Sequence, residues 1–281
     1  MVVTGASSGI GEATTQTLAR LGFDVFAGVR SDADAERLRS ERVTPLRIDV
    51  TDAATIAAAA EQAAEALGGR GLAGLVNNAG IAVTAPLEYV PLDELRRQLE
   101  VNLVGQVAVT QAFLPAVRTA RGRIVNVSSI GGRVVVPLLG PYAASKFALE
   151  AVTDALRREL KPWGIKVASV EPSTIATPIW DKGTTAADAI LDGLPPDGAQ
   201  RYGRLIGVLR AIAARGTVDG LAPQKVADVI VHALTARRPR TRYPVGLDAK
   251  LGVRFGALLP DRVFDRVIEL SIAAQARRAA R

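Results

Sequence analysis

Short, continuous apolar runs alternate along this chain with longer amphipathic segments that are rich in Ala and Leu. Apolar runs without polar residues between them are typical of strands that are buried on both faces, as in a parallel sheet covered by helices. The alternation therefore predicts an α/β fold with a doubly wound parallel sheet and helices on both faces. The predicted strands span residues 2–4, 24–29, 44–48, 72–77, 123–128, 165–170 and 241–245.

The amphipathic segments predict the helices that cover this sheet, over residues 9–21, 51–67, part of 91–118, 142–160 and 223–236. Thr51 is the expected N-cap of the second helix. After Pro172 the pattern loosens into short helical pieces between Gly, Pro, Thr and Asp clusters, which predicts a substrate lid over about 173–222. A C-terminal helical extension is expected over about 247–281. No linker divides the chain, so we expect residues 1–281 to form a single domain.

Composition excludes several classes of protein. The 281 residues include no cysteine, so disulfides, thiol nucleophiles and thiolate metal sites are excluded, and no His, Asp and Glu cluster indicates a metal. No apolar stretch reaches the roughly 18 residues that a membrane-spanning helix needs. The first residues lack the basic and apolar regions of a signal peptide. We therefore expect a cytoplasmic protein.

The net charge of +7 arises at the C-terminal end of the chain. Residues 236–281 contain eleven Lys and Arg against four Asp and Glu, whereas the rest of the chain contains 24 of each sign. Single-stranded nucleic acids require aromatic residues among the basic ones, so no nucleic-acid partner is predicted. A solvated helix face is the favoured interpretation of this charge. A homodimer contact, or contact of the amphipathic segment 260–280 with a membrane surface, stays as an alternative.

A glycine-rich turn joins the first predicted strand to the first helix, with Gly5, Gly9 and Gly11 in the sequence Thr-Gly-Ala-Ser-Ser-Gly-Ile-Gly. Such a turn lets the backbone approach a pyrophosphate, and the helix N-terminus attracts the anion. The spacing resembles the T-G-x-x-x-G-x-G motif of the classical short-chain dehydrogenase/reductase family, which has a Rossmann-type fold. The residues expected to bind the cofactor here are Gly5, Ser7, Ser8, Gly9, Ile10 and Gly11.

The ends of the next strands indicate which nicotinamide cofactor is bound. NAD-specific members of the family have an Asp at the end of the second strand, whereas this chain has Val29 followed by Arg30. A guanidinium can hold a 2′-phosphate in bidentate fashion, so NADP is predicted and NAD is the alternative. By the same resemblance, Asp49 and Val50 contact the adenine. The family's N-N-A-G motif lines the cofactor and corresponds here to Asn77, Asn78, Ala79 and Gly80.

Four polar residues match the catalytic Asn–Ser–Tyr–Lys set of the family. Tyr142 and Lys146 are four residues apart in a predicted helix and so share a face. Ser129 ends the preceding strand, and Asn102 lies in the long helical segment. Tyrosine titrates near pH 10, and we expect the ammonium of Lys146 to lower this value so that Tyr142 acts as general acid and base. The resemblance gives Ser129 the substrate oxygen, Lys146 the nicotinamide ribose, and Asn102 a water of the proton relay.

Two further segments extend the resemblance. The loop Pro-Ser-Thr-Ile-Ala-Thr corresponds to the family's P-G-x-x-x-T, so Pro172, Ile175 and Thr177 are expected to contact the cofactor. Ser173 replaces the usual glycine, which would cost about 1 kcal/mol if its φ were positive. Residues 240–250 resemble the tail of the retinol and hydroxysteroid dehydrogenase branch, which implies a lipophilic alcohol or carbonyl substrate. The apolar lid residues suit such a substrate or ordinary packing equally well: Ile179, Trp180, Leu191, Leu194, Leu205, Ile206 and Leu209.

Two other functions compete with an NADP-dependent oxidoreductase. A non-catalytic NAD(P)-sensing protein could use the same fold, but it would have no use for the acid and base pair Tyr142 and Lys146. A nucleotide-sugar epimerase shares Y-x-x-x-K, but its turn has the spacing G-x-x-G-x-x-G, which this chain lacks. The resemblance also implies a homodimer or homotetramer built on the long helices.

Overall fold

The computed structural model describes residues 1–179, 188 and 190–279. Its strands are β1 (Val2–Val3), β2 (Val25–Val29), β3 (Val43–Arg47), β4 (Gly74–Asn77), β5 (Arg123–Val127), β6 (Lys166–Pro172) and β7 (Arg242–Val245). They form one parallel sheet in the order β3-β2-β1-β4-β5-β6-β7. The order reverses between β1 and β4, and this reversal opens a crevice at the carboxyl ends of the strands. The predicted doubly wound α/β fold is confirmed.

Helices cover both faces of the sheet. They are α1 (Gly9–Arg20), α2 (Asp32–Leu38), α3 (Ala53–Leu67), α4 (Leu92–Leu99), α5 (Gly105–Thr119), α6 (Gly140–Glu159), α7 (Pro196–Asp219), α8 (Pro223–Thr235), α9 (Leu247–Leu258) and α10 (Asp261–Ala279). On one face, Leu18 of α1 and Ile230 of α8 belong to the same apolar core. On the other, Ile56 of α3 and Phe113 of α5 pack under the strands. Each core is formed by continuous apolar strands, as the sequence pattern predicted.

The N-cap of α3 differs from the prediction. Asp52, not Thr51, caps this helix, and its carboxylate accepts hydrogen bonds from the backbone N–H groups of Ala54 (2.9 Å) and Thr55 (3.4 Å). A carboxylate also interacts favourably with the positive end of the helix dipole, which a hydroxyl does less well. Thr51 instead donates to Asp49 at the end of the preceding strand.

Two helical segments also differ from the prediction. The helix expected within 91–118 is interrupted between α4 and α5 by a π-helical segment, Glu100–Val104. In the lid, the expected short pieces include one long helix, α7, of 24 residues. The extension over 247–281 contains α9 and α10, as expected. Within the described part of the chain, no helix combines the length and apolar character needed to cross a membrane.

Candidate active site

The turn between β1 and α1 has room only for glycine at its critical positions. Gly5 and Gly9 have φ values of 62° and 57°, in the region that glycine favours. A Cβ on Gly9 would lie 2.9 Å from Cγ2 of Thr177, and a Cβ on Gly11 would overlap the carbonyl oxygen of Gly5. The glycines therefore allow α1 and the loop after β6 to close tightly on the turn.

Thr4 and Asn78 fix this turn to the neighbouring strand. The hydroxyl of Thr4 accepts hydrogen bonds from the backbone N–H groups of Asn78 (2.9 Å) and Ala79 (3.1 Å). In return, Nδ2 of Asn78 donates to the carbonyl oxygens of Thr4 (3.0 Å) and Gly5 (3.1 Å). The carboxyl ends of β1 and β4 are thus held together where the order of strands reverses.

The start of α1 has the features of a dinucleotide pyrophosphate site. Ser8 is its N-cap, and the Ser8 side chain makes no capping hydrogen bond. The first N–H groups of a helix lack intrahelical partners, so with the helix dipole they attract an anion. Ser7 and Ile10 are half-buried at the same turn. The compact glycine backbone and these N–H groups fit the phosphates of a nicotinamide dinucleotide.

Arg30 and Asp49 lie at the carboxyl ends of β2 and β3, on one side of the turn. Arg30 is exposed. Burial alone would raise the pKa of Asp49, but hydrogen bonds from Thr51 and the charges of Arg30 and Arg47 hold this pKa below its ordinary value. The side chain of Val50, next along the chain, is buried. The structure therefore brings together the residues that were expected to contact the adenosine half of a cofactor.

A second guanidinium reaches the turn from α2. Nη2 of Arg37 donates to the carbonyl oxygen of Ser7 at 2.5 Å, while Nη1 pairs with Glu12 of α1 at 2.6 Å. The sequence analysis missed this residue because it did not predict the short, polar helix α2. Arg37 adds positive charge beside the phosphate-binding turn, where the sequence of the turn itself has none.

Ser129, Tyr142 and Lys146 meet beside the carboxyl end of β5. Tyr142 and Lys146 share a face of α6, with Nζ of Lys146 5.8 Å from the centre of the tyrosine ring. Nζ donates to the carbonyl oxygen of Val127 at 2.9 Å. Ser129 follows β5, is hydrogen-bonded to Tyr142, and accepts from the N–H of Gly131 at 3.0 Å. The predicted spacing thus produces one cluster.

Asn102 connects the π-helical segment to this cluster. Its Nδ2 donates to Ser145 Oγ (3.1 Å), next to Lys146, and to the carbonyl oxygen of Ile81 (3.0 Å), while its Oδ1 accepts from the N–H of Ile81 (2.9 Å). Gln98, one turn earlier and fully buried, accepts from the N–H of Val83 at 2.6 Å. The sequence analysis missed Gln98. The two amides hold the loop after β4 against α6.

The protonation of the cluster differs from the prediction. Burial raises the pKa of Tyr142, and its hydrogen bond with Ser129 offsets only part of this effect. Burial also lowers the pKa of Lys146 to about 8, although the Glu150 carboxylate favours its ammonium. The expected lowering of the tyrosine pKa by Lys146 is therefore not found. The cost of desolvating a phenolate is larger than the attraction of an ammonium that already donates to a backbone carbonyl.

The loop after β6 lies over the glycine turn without backbone strain at its first residue. Among the described residues, only Arg121 and Leu138 combine a side chain with a positive φ, so Ser173 carries no such penalty. Ile175 forms a β-bridge with Leu221. Thr177 reaches Gly9, as described above. The presence of Ser173 where the family has glycine therefore causes no strain of this kind.

The apolar lid residues pack mainly on one another. Leu191 and Ile206 are buried with Leu138, and this small core is completed by Leu194, Tyr202, Leu205 and Leu209. Ile179 is half-buried, and Trp180 lies outside the described residues. The lid therefore has its own apolar core.

Comparison with known proteins decides the family. The family model described as short chain dehydrogenase matches residues 1–188. The chain belongs to this family. Retinol dehydrogenase 5 from Mus musculus is 38% identical over 275 residues, which cover 95% of this chain and 86% of that protein. This short-chain dehydrogenase is also 35% identical to the NADPH-dependent 3-dehydrocapnine reductase of Ornithobacterium rhinotracheale, over 95% of this chain and 94% of the relative.

A solved structure gives the same result. The short chain dehydrogenase of Burkholderia cenocepacia, solved in complex with NADP, superposes with a TM-score of 0.72 at 28% identity, over 95% of this chain and 94% of that chain. The resemblance to the classical family and its retinol dehydrogenase branch is confirmed. This short-chain dehydrogenase is accordingly an oxidoreductase with an NAD(P)-binding Rossmann fold.

Proposed function

We propose that this short-chain dehydrogenase transfers a hydride between NADP(H) and the alcohol or carbonyl group of a lipophilic small molecule, with Tyr142 as the general acid and base. The observation that carries the proposal is the meeting of Ser129, Tyr142 and Lys146 beside the carboxyl end of β5. The similarity of the whole chain to retinol dehydrogenase 5 supports the lipophilic substrate. We take residues 1–281 as a single oxidoreductase domain in the cytoplasm.

The residues that we assign to the cofactor come from three segments of the chain. The turn from Gly5 to Gly11 holds the pyrophosphate, and Asn78, Ala79 and Gly80 line the cofactor where β1 and β4 are joined. Pro172, Ile175 and Thr177 cover it from the loop after β6. A bound nicotinamide supplies or accepts the hydride. These assignments rest on the family resemblance and on the way the loop and the turn close on each other.

The protonation states favour proton donation by Tyr142. Its raised pKa keeps the phenol protonated at neutral pH, and Ser129 can hold a substrate oxygen within reach of it. With a pKa of about 8, Lys146 is mostly an ammonium at neutral pH. Its charge stabilises the phenolate that remains after the proton has left. Asn102 keeps the neighbouring Ser145 in place, so this part of α6 is held for the transfer.

A titration followed by a substrate panel tests the proposed function. We expect NADPH to bind and to be oxidised in the presence of retinoid, steroid or long-chain aliphatic carbonyl compounds, followed by the nicotinamide absorbance. A short polar keto acid serves as the contrasting substrate. Cofactor binding without turnover of any carbonyl or alcohol would contradict the enzyme function, and turnover of the polar compound alone would contradict the lipophilic class.

Arg30→Asp tests the choice of cofactor. A carboxylate at this position repels a 2′-phosphate and accepts hydrogen bonds from ribose hydroxyls. We expect the Kd for NADPH to rise about 100-fold, the effect of losing one charged bidentate pair, while NADH binds as well or better. Arg42→Asp is the matched control, because Arg42 lies at the amino end of β3. Wild-type protein that binds NADH more tightly than NADPH would contradict the role of Arg30.

The oligomeric state also follows from the resemblance. We propose a homodimer or homotetramer built on the long helical segment that α4, the π-helical residues and α5 form together. Leu92 and Val104 on this part of the surface are 62% and 48% exposed, which is consistent with a contact between copies.

A further inference from the structure

A cluster of buried charged residues lies between α6, β6 and β7, outside the set of residues that the family resemblance assigns. Two of its members are acidic: Glu150 on α6 is 5% exposed and Glu171 on β6 is 1% exposed. Arg242 on β7 joins them, with Nε 3.0 Å from Oε2 of Glu150 and 3.4 Å from Oε1 of Glu171. Charged groups in such a place are costly unless they are paired, so their presence requires a reason.

Glu150 is one turn of α6 beyond Lys146, which is itself one turn beyond Tyr142. Residues four apart on a helix are neighbours, so the three side chains follow one face of α6. The negative charge of Glu150 acts on the buried ammonium of Lys146 and opposes its loss of a proton. The helix that carries the catalytic pair thus also carries the counter-charge of the lysine.

Arg242 and Ser169 hold the side chain of Glu150 in place. Ser169 Oγ donates to Oε1 of Glu150, and Nε of Arg242 donates to Oε2. Both carboxylate oxygens thus accept a hydrogen bond, which fixes the Glu150 side chain one turn of α6 beyond Lys146. Arg242 comes from the last strand of the sheet and also pairs with Asp154 of α6 at 2.9 Å. Its position is therefore set by two residues of the catalytic helix.

Glu171 faces the same guanidinium of Arg242 as Glu150 does. Neither carboxylate oxygen of Glu171 has a hydrogen-bond partner among the described residues. Burial and the charge of Glu150 raise the pKa of Glu171 to about 7. Besides Arg242, Arg133 faces it, with Nη1 3.7 Å from Oε1. Two buried carboxyl groups thus face one guanidinium, and the position of the Glu150 side chain depends on Arg242.

We propose that Arg242 and Glu150 are positioning residues for Lys146: Arg242 holds the side chain of Glu150 in place, and Glu150 is the counter-charge of the buried lysine. The inference rests on the proposed function, because it acts through the role of Lys146 beside Tyr142. It assigns to the strand β7, outside the residues 1–188 that the family model matches, a part in the charge balance of the active site.

The pH dependence of carbonyl reduction by the whole enzyme tests this proposal. In Glu150→Gln the lysine loses its counter-charge, so we expect the alkaline midpoint of kcat/KM to move down by about one pH unit, the effect of one nearby charge. Arg242→Met moves it in the same direction by less, because Glu150 loses the guanidinium that holds its side chain and can turn away from Lys146. In the double variant the lysine again lacks its counter-charge, so the shifted midpoint remains.

Arg158→Met is the matched control. Arg158 is exposed and pairs with Asp154 at 3.4 Å, and no hydrogen bond or ion pair found among the described residues joins it to Glu150 or Glu171. We expect its midpoint to equal that of the wild type. A double variant with a wild-type midpoint, or an equal shift in Arg158→Met, overturns the proposal. If the single variants fail to fold, the double variant alone decides. Wild-type protein without reductase activity refutes the proposed function itself, a result that cannot be confused with an unshifted profile.

Discussion

Replacing Tyr142 by Phe is expected to lower kcat for carbonyl reduction about 1,000-fold, the middle of the range for removal of a general acid. The phenol is the proposed proton donor beside Ser129, and phenylalanine has no group to replace it. The Kd for NADPH should change by less than about threefold, since the tyrosine ring and its packing remain and only one hydroxyl is lost. The measurements are steady-state reduction rates and a fluorescence titration of the cofactor.

A matched variant separates chemistry from folding. Tyr243→Phe removes the same atom from a buried tyrosine on β7, whose hydroxyl accepts a hydrogen bond from the N–H of Arg240 at 2.7 Å. It should lose stability of about 1 kcal/mol and keep its kcat. If Tyr142→Phe retained near wild-type turnover, the assignment of Tyr142 as the proton donor would be wrong, and with it the proposed mechanism.

Gly11→Ala is expected to have the second large effect, on cofactor binding and on stability together. The added methyl group overlaps the backbone carbonyl of Gly5 and the side-chain amide of Asn78. Because backbone cannot yield as a flexible side chain does, α1 must move away from the turn. We expect a loss of about 2 to 3 kcal/mol in the free energy of unfolding and an increase of at least 100-fold in the Kd for NADPH. Thermal unfolding with and without NADPH measures both.

Gly207→Ala makes the same chemical change at a site without neighbours. Gly207 lies in α7, and among the described residues no atom apart from its chain neighbours and the nearby backbone of its own helix lies within 4 Å of an added Cβ. Alanine favours the helix over glycine, so stability should rise by up to about 1 kcal/mol with cofactor affinity unchanged. Wild-type cofactor affinity in Gly11→Ala would show that the turn does not hold the pyrophosphate.

The sequence was sufficient for those parts of the site that depend on local spacing. Tyr142 and Lys146 face one way because a helix repeats every 3.6 residues, and Ser129 lies beside them because parallel strands end at one edge of the sheet. The glycine positions also predicted the turn correctly, since only glycine fits where a Cβ would overlap the backbone. These rules need no knowledge of distant contacts.

Other parts depend on contacts between remote segments and could not be predicted. Arg37 reaches Ser7 only because α2 folds beside the turn, and Arg242 meets Glu150 from a residue 92 positions away. The pKa of Tyr142 was predicted in the wrong direction for the same reason. Its charged partner was visible in the sequence, but the burial that outweighs this partner is a property of the whole fold.

In the π-helical segment Glu100–Val104, we expect an insertion or a deletion to be more harmful than most substitutions. Gln98 binds the loop after β4 from the turn before this segment, and Asn102 binds it from within the segment. Removing one residue between Gln98 and Asn102 would let α4 and α5 merge into one regular helix. The part of α4 before the deletion would then be rotated by about 100° about the helix axis. Gln98 would then leave Val83. We therefore expect insertions and deletions in this segment to disrupt the contacts with the loop after β4, whereas substitutions at its exposed positions should be tolerated.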